Sequence, residues 1–300
     1  MSRADVAWLA LAVAAVSTSA PLIREAAAPA LAVAFWRNGL AAGGLVPVAA
    51  LRHRVPRDRA AAERPPRRAW LLAVAAGVLL AAHFAAWISS LSWTTVAASV
   101  ALVATQPVWT ALLGRLTGER LGRLAWSGIG LALVGVVIAT GVDVTSSGRA
   151  LHGDLLALAG GALAAGYVSV GSVARRQLTT TDYTAACYSV AAAVLVVAAV
   201  VAGQHLAGFR LRTWLCIAAI TIGPQLLGHS VFNRLLRTVG PTVVSVAVLG
   251  EIVGSAVLAA WWFGEHPPAG LVPAAVCIIT GVALVIRGRS GVPDAEVVAG

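Results

Sequence analysis

The stretch His83–Glu119 reads HFAAWISSLSWTTVAASVALVATQPVWTALLGRLTGE, and the stretch His229–Glu265 reads HSVFNRLLRTVGPTVVSVAVLGEIVGSAVLAAWWFGE. Offset by 146 residues, the two lie in gapless register. His83 falls on His229, Ser99-Val100-Ala101 on Ser245-Val246-Ala247, Leu112 on Leu258, and Gly118-Glu119 on Gly264-Glu265. Outside these stretches Gly77 meets Gly223, and Gly135-Val136 meets Gly281-Val282. One coincidence means little in so Ala- and Val-rich a chain. A histidine, a glutamate and several glycines at one offset mean that the chain repeats itself.

Composition says what the repeat is made of. Hydrophobic residues form 59% of the 300, charged residues 11%, and the mean hydropathy is +0.85. A soluble domain carries roughly 25% charged residues. Too few polar groups remain to clothe a water-facing surface, so the outside of this protein faces lipid. A bilayer core needs roughly 20 apolar residues per helix. Ten runs of that kind are expected, at Val6–Ile23, Ala28–Leu51, Ala69–Leu91, Thr95–Leu113, Leu124–Val142, Leu155–Ala174, Tyr183–Val201, Trp214–Val231, Val239–Phe263 and Pro268–Ile286. They are too long and too continuously apolar for barrel strands, so the fold class is an all-α membrane protein. The first run, behind Arg3, reads as an uncleaved span rather than a signal peptide.

All of the basic residues are arginines, and the net charge is +10. They sit between the apolar runs, the pattern of membrane topology and not of a nucleic-acid face. With the N-terminus cytoplasmic, inside loops collect 17: Arg3, seven from Arg52 to Arg68, Arg115, Arg120, Arg123, Arg175, Arg176, Arg234, Arg237, Arg287 and Arg289. Outside loops hold only Arg24, Arg149, Arg210 and Arg212. The positive-inside rule then puts both termini in the cytoplasm. The Arg52–Arg68 loop is expected to set this topology and touch lipid headgroups.

Repeats of five helices each, 6–142 and 151–287, are expected, with a short disordered tail at 288–300. An odd number of spans turns the second copy upside down. Inverted repeats of this kind are typical of secondary transporters, whose sites lie near the midplane between the copies. The architecture names a class of protein, not a substrate.

The residues His83-Phe84-Ala85-Ala86-Trp87, the run Ser99–Pro107 leading to Gly118-Glu119, and the segment from Gly228-His229 to Gly264-Glu265 resemble the EamA-type permeases of the drug/metabolite transporter superfamily. The resemblance spans about residues 6–287. It implies ten helices in two inverted bundles and a central cavity lined by helices one to four and six to nine. Helices five and ten would be peripheral. Relatives of this kind export amino acids and other metabolites or carry sugar- and nucleotide-linked solutes, so the resemblance does not choose a substrate. A secondary transporter exporting small metabolites such as amino acids or drug-like solutes is expected.

Ionisable groups deep in a span are costly and so mark candidate sites. Arg37, His83, His229 and Glu251 are the four, and the repeat sets the two histidines at mirrored depths. Gln225, His229 and Asn233 recur at i, i+4 and i+8, which puts them on one face of a regular helix. His83 and Trp87 share a face in the same way. Gln106 precedes Pro107, which is expected to kink its helix and free a carbonyl. Trp109, Tyr167 and the Ser17-Thr18-Ser19 cluster before Pro21 add polar edges. Substrate binding is thus expected of Arg37, His83, Trp87, Gln106, Trp109, Tyr167, Gln225, His229 and Asn233, and proton coupling of Glu251. Each also has a structural reading: polar side chains hold helices together in many bundles, and Arg37 with Glu251 could form a buried pair. Glu119 and Glu265 are read as caps at span ends. The GxxxG pairs Gly39–Gly43 and Gly250–Gly254 permit close helix approach.

No GxxxxGK[ST], HExxH or GxSxG motif and no carboxylate pair within a span is present, so ATP coupling, an intramembrane enzyme and a cofactor are not expected. Cys187, Cys216 and Cys277 are expected as free thiols. A channel or a structural membrane protein is the alternative reading, although a channel usually relies on like groups from several subunits. The expected partners are a small-molecule solute and the lipid of a bacterial inner membrane.

Overall fold

The computed structural model describes residues 1–54, 65–90, 93–94, 96–116, 118–140, 148–264 and 270–290, so part of the Arg52–Arg68 loop, Glu265 and residues 291–300 lie outside it. In chain order the helices are α1 (Arg3–Ser17), α2 (Ser19–Ala26), α3 (Ala30–Arg54), α4 (Arg67–Ser90), α5 (Val96–Val103), α6 (Gln106–Leu116), α7 (Arg123–Thr140), α8 (Gly148–Ala174), α9 (Thr180–Val201) and α10 (Leu211–Ile220). A π-helical segment, Thr221–His229, follows, and then α11 (Ser230–Leu235), α12 (Gly240–Val248), α13 (Gly250–Phe263) and α14 (Leu271–Ser290). Among the described residues there is no strand. Among the described residues, nine helical stretches are long and apolar enough to cross a membrane. The expected run Thr95–Leu113 is not among them, because it is split into α5 and α6. Helix α14 continues to Ser290, into the stretch expected as a tail.

The surface is apolar where a soluble protein would be charged: Leu116, Val201, Trp261 and Leu211 stand out fully. The interior is built largely of alanine and glycine, because without a hydrophobic drive between helices in lipid, close backbone approach must supply the packing. A methyl group added to Gly128 on α7 would stand 2.6 Å from the carbonyl oxygen of Gly281 on α14, and one on Gly135 would stand 2.8 Å from that of Ala274. The partner number falls as the first rises, so α7 and α14 run antiparallel. Helices α3 and α9 do the same: the Leu31 amide donates to Gln204 Oε1, while Arg52 reaches Thr181. Of the two GxxxG pairs, Gly250 and Gly254 seat Val13 and Ser17 of α1, whereas Gly43 meets nothing within 4 Å.

Breaks in the helices follow from prolines. Pro107 clashes with the carbonyl four residues before it, and α5 ends at that residue, Val103. At the break the Leu102 carbonyl accepts from the Thr105 amide at 3.2 Å and from its hydroxyl at 2.6 Å. Pro107 itself sits in the first turn of α6, where its missing N–H is harmless. Pro21 likewise releases the Ser17 carbonyl, which accepts from Ser255 at 2.9 Å. Around Pro224 the chain widens into the π segment. The chain breaks again at Leu249, between α12 and α13, close to the position that the repeat makes equivalent to the α5–α6 break.

All three cysteines are free; Cys187 and Cys216 are buried. Glu119, expected as a cap, turns back over the end of α6, its amide donating to the Gly114 carbonyl at 2.8 Å.

Candidate functional site

A cavity of about 270 Å³ opens where the broken helices meet. Its lining comes from α2, α3, α4, α5, α6, α8, α11, α12, α13 and the end of the π segment. Helices α7 and α14 contribute nothing to it, and neither does α9, which the family resemblance had placed at the cavity wall. Tyr188 of α9 instead forms part of a second layer.

Of the expected residues, Arg37, His83, Trp87, Gln106, Tyr167, His229, Asn233 and Glu251 all line this cavity. Gln225 and Trp109 do not. Trp109 turns back along its own helix and donates to the Thr105 hydroxyl at 3.1 Å. Gln225 is displaced for a clear reason. The i, i+4, i+8 stripe assumes a regular helix, but the segment carrying it is π-helical, with the Ser230 amide donating to the Gln225 carbonyl five residues back. That wider turn rotates Gln225 away from His229 and Asn233. The stripe expected from sequence is therefore split into two lining residues and one residue behind them.

Behind the wall Gln225 has a different task. It is fully buried, accepts from Arg37 Nε at 2.8 Å, and donates to Asn38 Oδ1 at 3.1 Å. Asn38 is fixed in turn by donating to the Ala34 carbonyl at 2.8 Å. Arg37 reaches Ser19 with Nη1 at 3.5 Å and lies over the Phe84 ring, 5.0 Å from its centroid. It forms no ion pair with Glu251, so the buried pair considered from sequence is not made, although both side chains face one cavity.

The two histidines converge on this space from opposite repeats and differ in support. His83 Nδ1 lies 2.9 Å from the Gly160 carbonyl. A carbonyl can only accept, so Nδ1 carries the proton and Nε2 is left as acceptor in the neutral ring. Its ring stacks on Trp87 with centroids 6.0 Å apart. His229 has no such hydrogen bond and meets Phe84 edge to face at 6.2 Å. Phe84 thus touches Arg37 and both histidines. Sequence reasoning quoted it only as part of a motif, and its sole signal was adjacency to His83.

At the far wall the Tyr167 hydroxyl donates to Asn233 Oδ1 at 2.7 Å, and Asn233 Nδ2 donates to the Tyr188 hydroxyl at 3.3 Å. Arg175, just past the end of its span, donates to the Asn233 carbonyl at 3.0 Å and to the Thr180 hydroxyl at 2.6 Å. Burial lowers its pKa to about 10, so it stays charged at neutral pH. Asp182, which accepts at the start of α9 from the Thr179 hydroxyl at 2.8 Å, also meets His53 at 2.9 Å. These contacts tie the helix ends together outside the cavity. Among the described residues no three His, Cys, Asp or Glu side chains converge as a metal centre would need.

Comparison with known proteins adds the family. The profile of the EamA-like transporter family matches the chain twice, at residues 4–141 and 151–287. No curated protein sequence matches it. A solved structure described as "Crystal structure of protein" is similar, with a TM-score of 0.79 and 19% identity, covering 97% of this chain and 99% of that one. At that identity the likeness is one of fold. Two matches to one family profile, covering nearly the whole of an apolar helical chain, carry the assignment: the protein is a member of the EamA-like transporter family, within the drug/metabolite transporter superfamily.

Proposed function

We propose that this chain is a secondary transporter that exports small metabolites by alternating access around the cavity described above. The observation that carries this reading is the position of that cavity. It lies where helices from both repeats break, with lining residues drawn from each half. In this reading α5 and α6 together make a tenth span, and the two repeats are inverted. The antiparallel run of α7 against α14, its counterpart 146 residues on, supports inversion. Halves that rock about a site between them, with half-helix ends exposed to it, are a common arrangement in such carriers.

The cavity residues have named tasks. Arg37, His83, Trp87, Gln106, Tyr167, His229 and Asn233 contact the solute. Gln225 acts through Arg37 as a positioning residue. Glu251 is the proton-coupling candidate, since among the described residues it is the one carboxylate lining the cavity and intramembrane carboxylates commonly relay protons. The arginine distribution supports two cytoplasmic termini in a bacterial inner membrane.

The deciding experiment is uptake of a panel of radiolabelled metabolites into inverted membrane vesicles holding the purified protein. At least one solute should accumulate above protein-free vesicles, and uptake of none would sink the reading. Reporter fusions after Ser90 and after Ile286 should report opposite compartments; matching compartments would refute the orientation.

A further inference from the structure

Two hydrogen-bond donors at the cavity have nothing to bind. Arg37 is 3% exposed, and although its Nε and Nη1 are engaged, Nη2 is buried without a partner. The indole Nε1 of Trp87, on the cavity wall, is also buried and unpartnered. A buried donor left unmade is costly, and more so on a charged group. Among the described residues, no side chain makes a hydrogen bond to either donor. Glu251 forms no ion pair with Arg37, and the neighbours fixing the guanidinium, Ser19, Phe84 and Gln225, are all uncharged.

We propose that Arg37 is the anchor for a carboxylate on the transported solute, with Nη2 donating to a carboxylate oxygen. This deepens the transporter reading and rests on it. The class of solute follows from the rest of the lining. Leu80, Phe84, Val244 and Val248 offer an apolar bed for the body of the molecule, and Trp87 Nε1 offers a donor for a second acceptor atom. About 270 Å³ lies at the small end of ligand cavities. Among the described lining residues a single guanidinium, with no second arginine, matches one negative charge, not a phosphoryl group that recruits several cations. Glu251, in the same cavity with His83, His229, Tyr167 and Asn233, repels a second carboxylate. The solute is therefore a small organic monocarboxylate with an apolar body.

The test uses three probes of the same shape and different charge: hydrocinnamate, hydrocinnamamide and phenethylamine. Their binding to the purified full chain in detergent is measured by calorimetry. Hydrocinnamate should bind at least about tenfold more tightly than the amide, the range of a hydrogen bond to a charged group, and the amine no better than the amide. Arg37→Met should erase that preference. Should Arg37→Met not fold, Gln225→Glu provides the second reading. It neutralises the guanidinium in place at nearly unchanged shape, and it should also level acid and amide. Equal binding of acid and amide, tightest binding of the amine, no binding of any probe, or an acid preference that survives in these variants would overturn the inference. The vesicle panel stays separate: transport of only neutral or cationic solutes refutes the carboxylate anchor and leaves the carrier intact, whereas uptake of nothing removes the carrier itself.

Discussion

Helices α4 and α8 pack against each other, and a shift of 146 residues carries this pair onto α10–π–α11 with α1–α2. The pairing is the same in both places, and the helices are not. Both members of the first pair are unbroken, while both members of the second are interrupted, at Thr18 and through Thr221–His229. Two prolines make the difference. Pro21 stands where α8 has Tyr167, and Pro224 stands where α4 has Val78. The regular pair offers the cavity a histidine held by a backbone carbonyl and a tyrosine held by Asn233. The irregular pair offers a released Ser17 carbonyl, which accepts from Ser255, and a glutamine that holds a buried arginine. Repeats can thus share a fold and divide the labour within it.

The comparison breaks most readily if its cause is transferred. Val78→Pro would put into α4 the residue that its counterpart carries, but without the widened turn that absorbs it. A loss of about 3 kcal/mol in stability is expected, read as a lowered thermal midpoint of the purified protein. An unchanged midpoint would mean that the surroundings, and not the prolines, decide which pair is irregular. Removing the product of the irregular turn should cost somewhat less. Gln225→Leu leaves Arg37 Nε and Asn38 Oδ1 without partners, and about 1.5–3 kcal/mol should be lost for the bond to the charged group. A near-neutral result would show that Arg37 is held by Phe84 and Ser19 alone.

The smallest effect separates the two histidines. His83→Phe removes the bond to the Gly160 carbonyl and should cost about 1 kcal/mol. His229→Phe removes no hydrogen bond and should stay within about 0.5 kcal/mol of the parent protein, while still altering transport. Equal stability losses at the two positions would make them interchangeable and erase the asymmetry.

Much of this was legible in the residues themselves. Apolar runs too long for a soluble core, separated by arginine clusters, read directly as membrane helices, because burial in lipid imposes a composition on every span. The internal repeat was legible because histidines and glutamates are rare enough in this chain for their spacing to carry information. Most of the cavity's polar residues were legible too: a buried Arg37, His83 or Glu251 is too costly to face lipid. Side-chain direction beyond a proline was not. Gln225 looked like a neighbour of His229 because a period of 3.6 was assumed across Pro224, and only packing against α1 and α3 shows how the extra residue of the π turn is taken up. Nor could spacing show that Arg37 prefers Gln225 to Glu251, that Phe84 joins the arginine to both histidines, or that α9 stands a layer back from the cavity. The sequence by itself determined which residues are buried in the bilayer and that they come in two copies, since those depend on transfer from water and on repetition along one chain. Only the tertiary structure decided which of them meet, since that depends on the rotation of each helix against its neighbours, and two prolines changed that rotation in one copy alone.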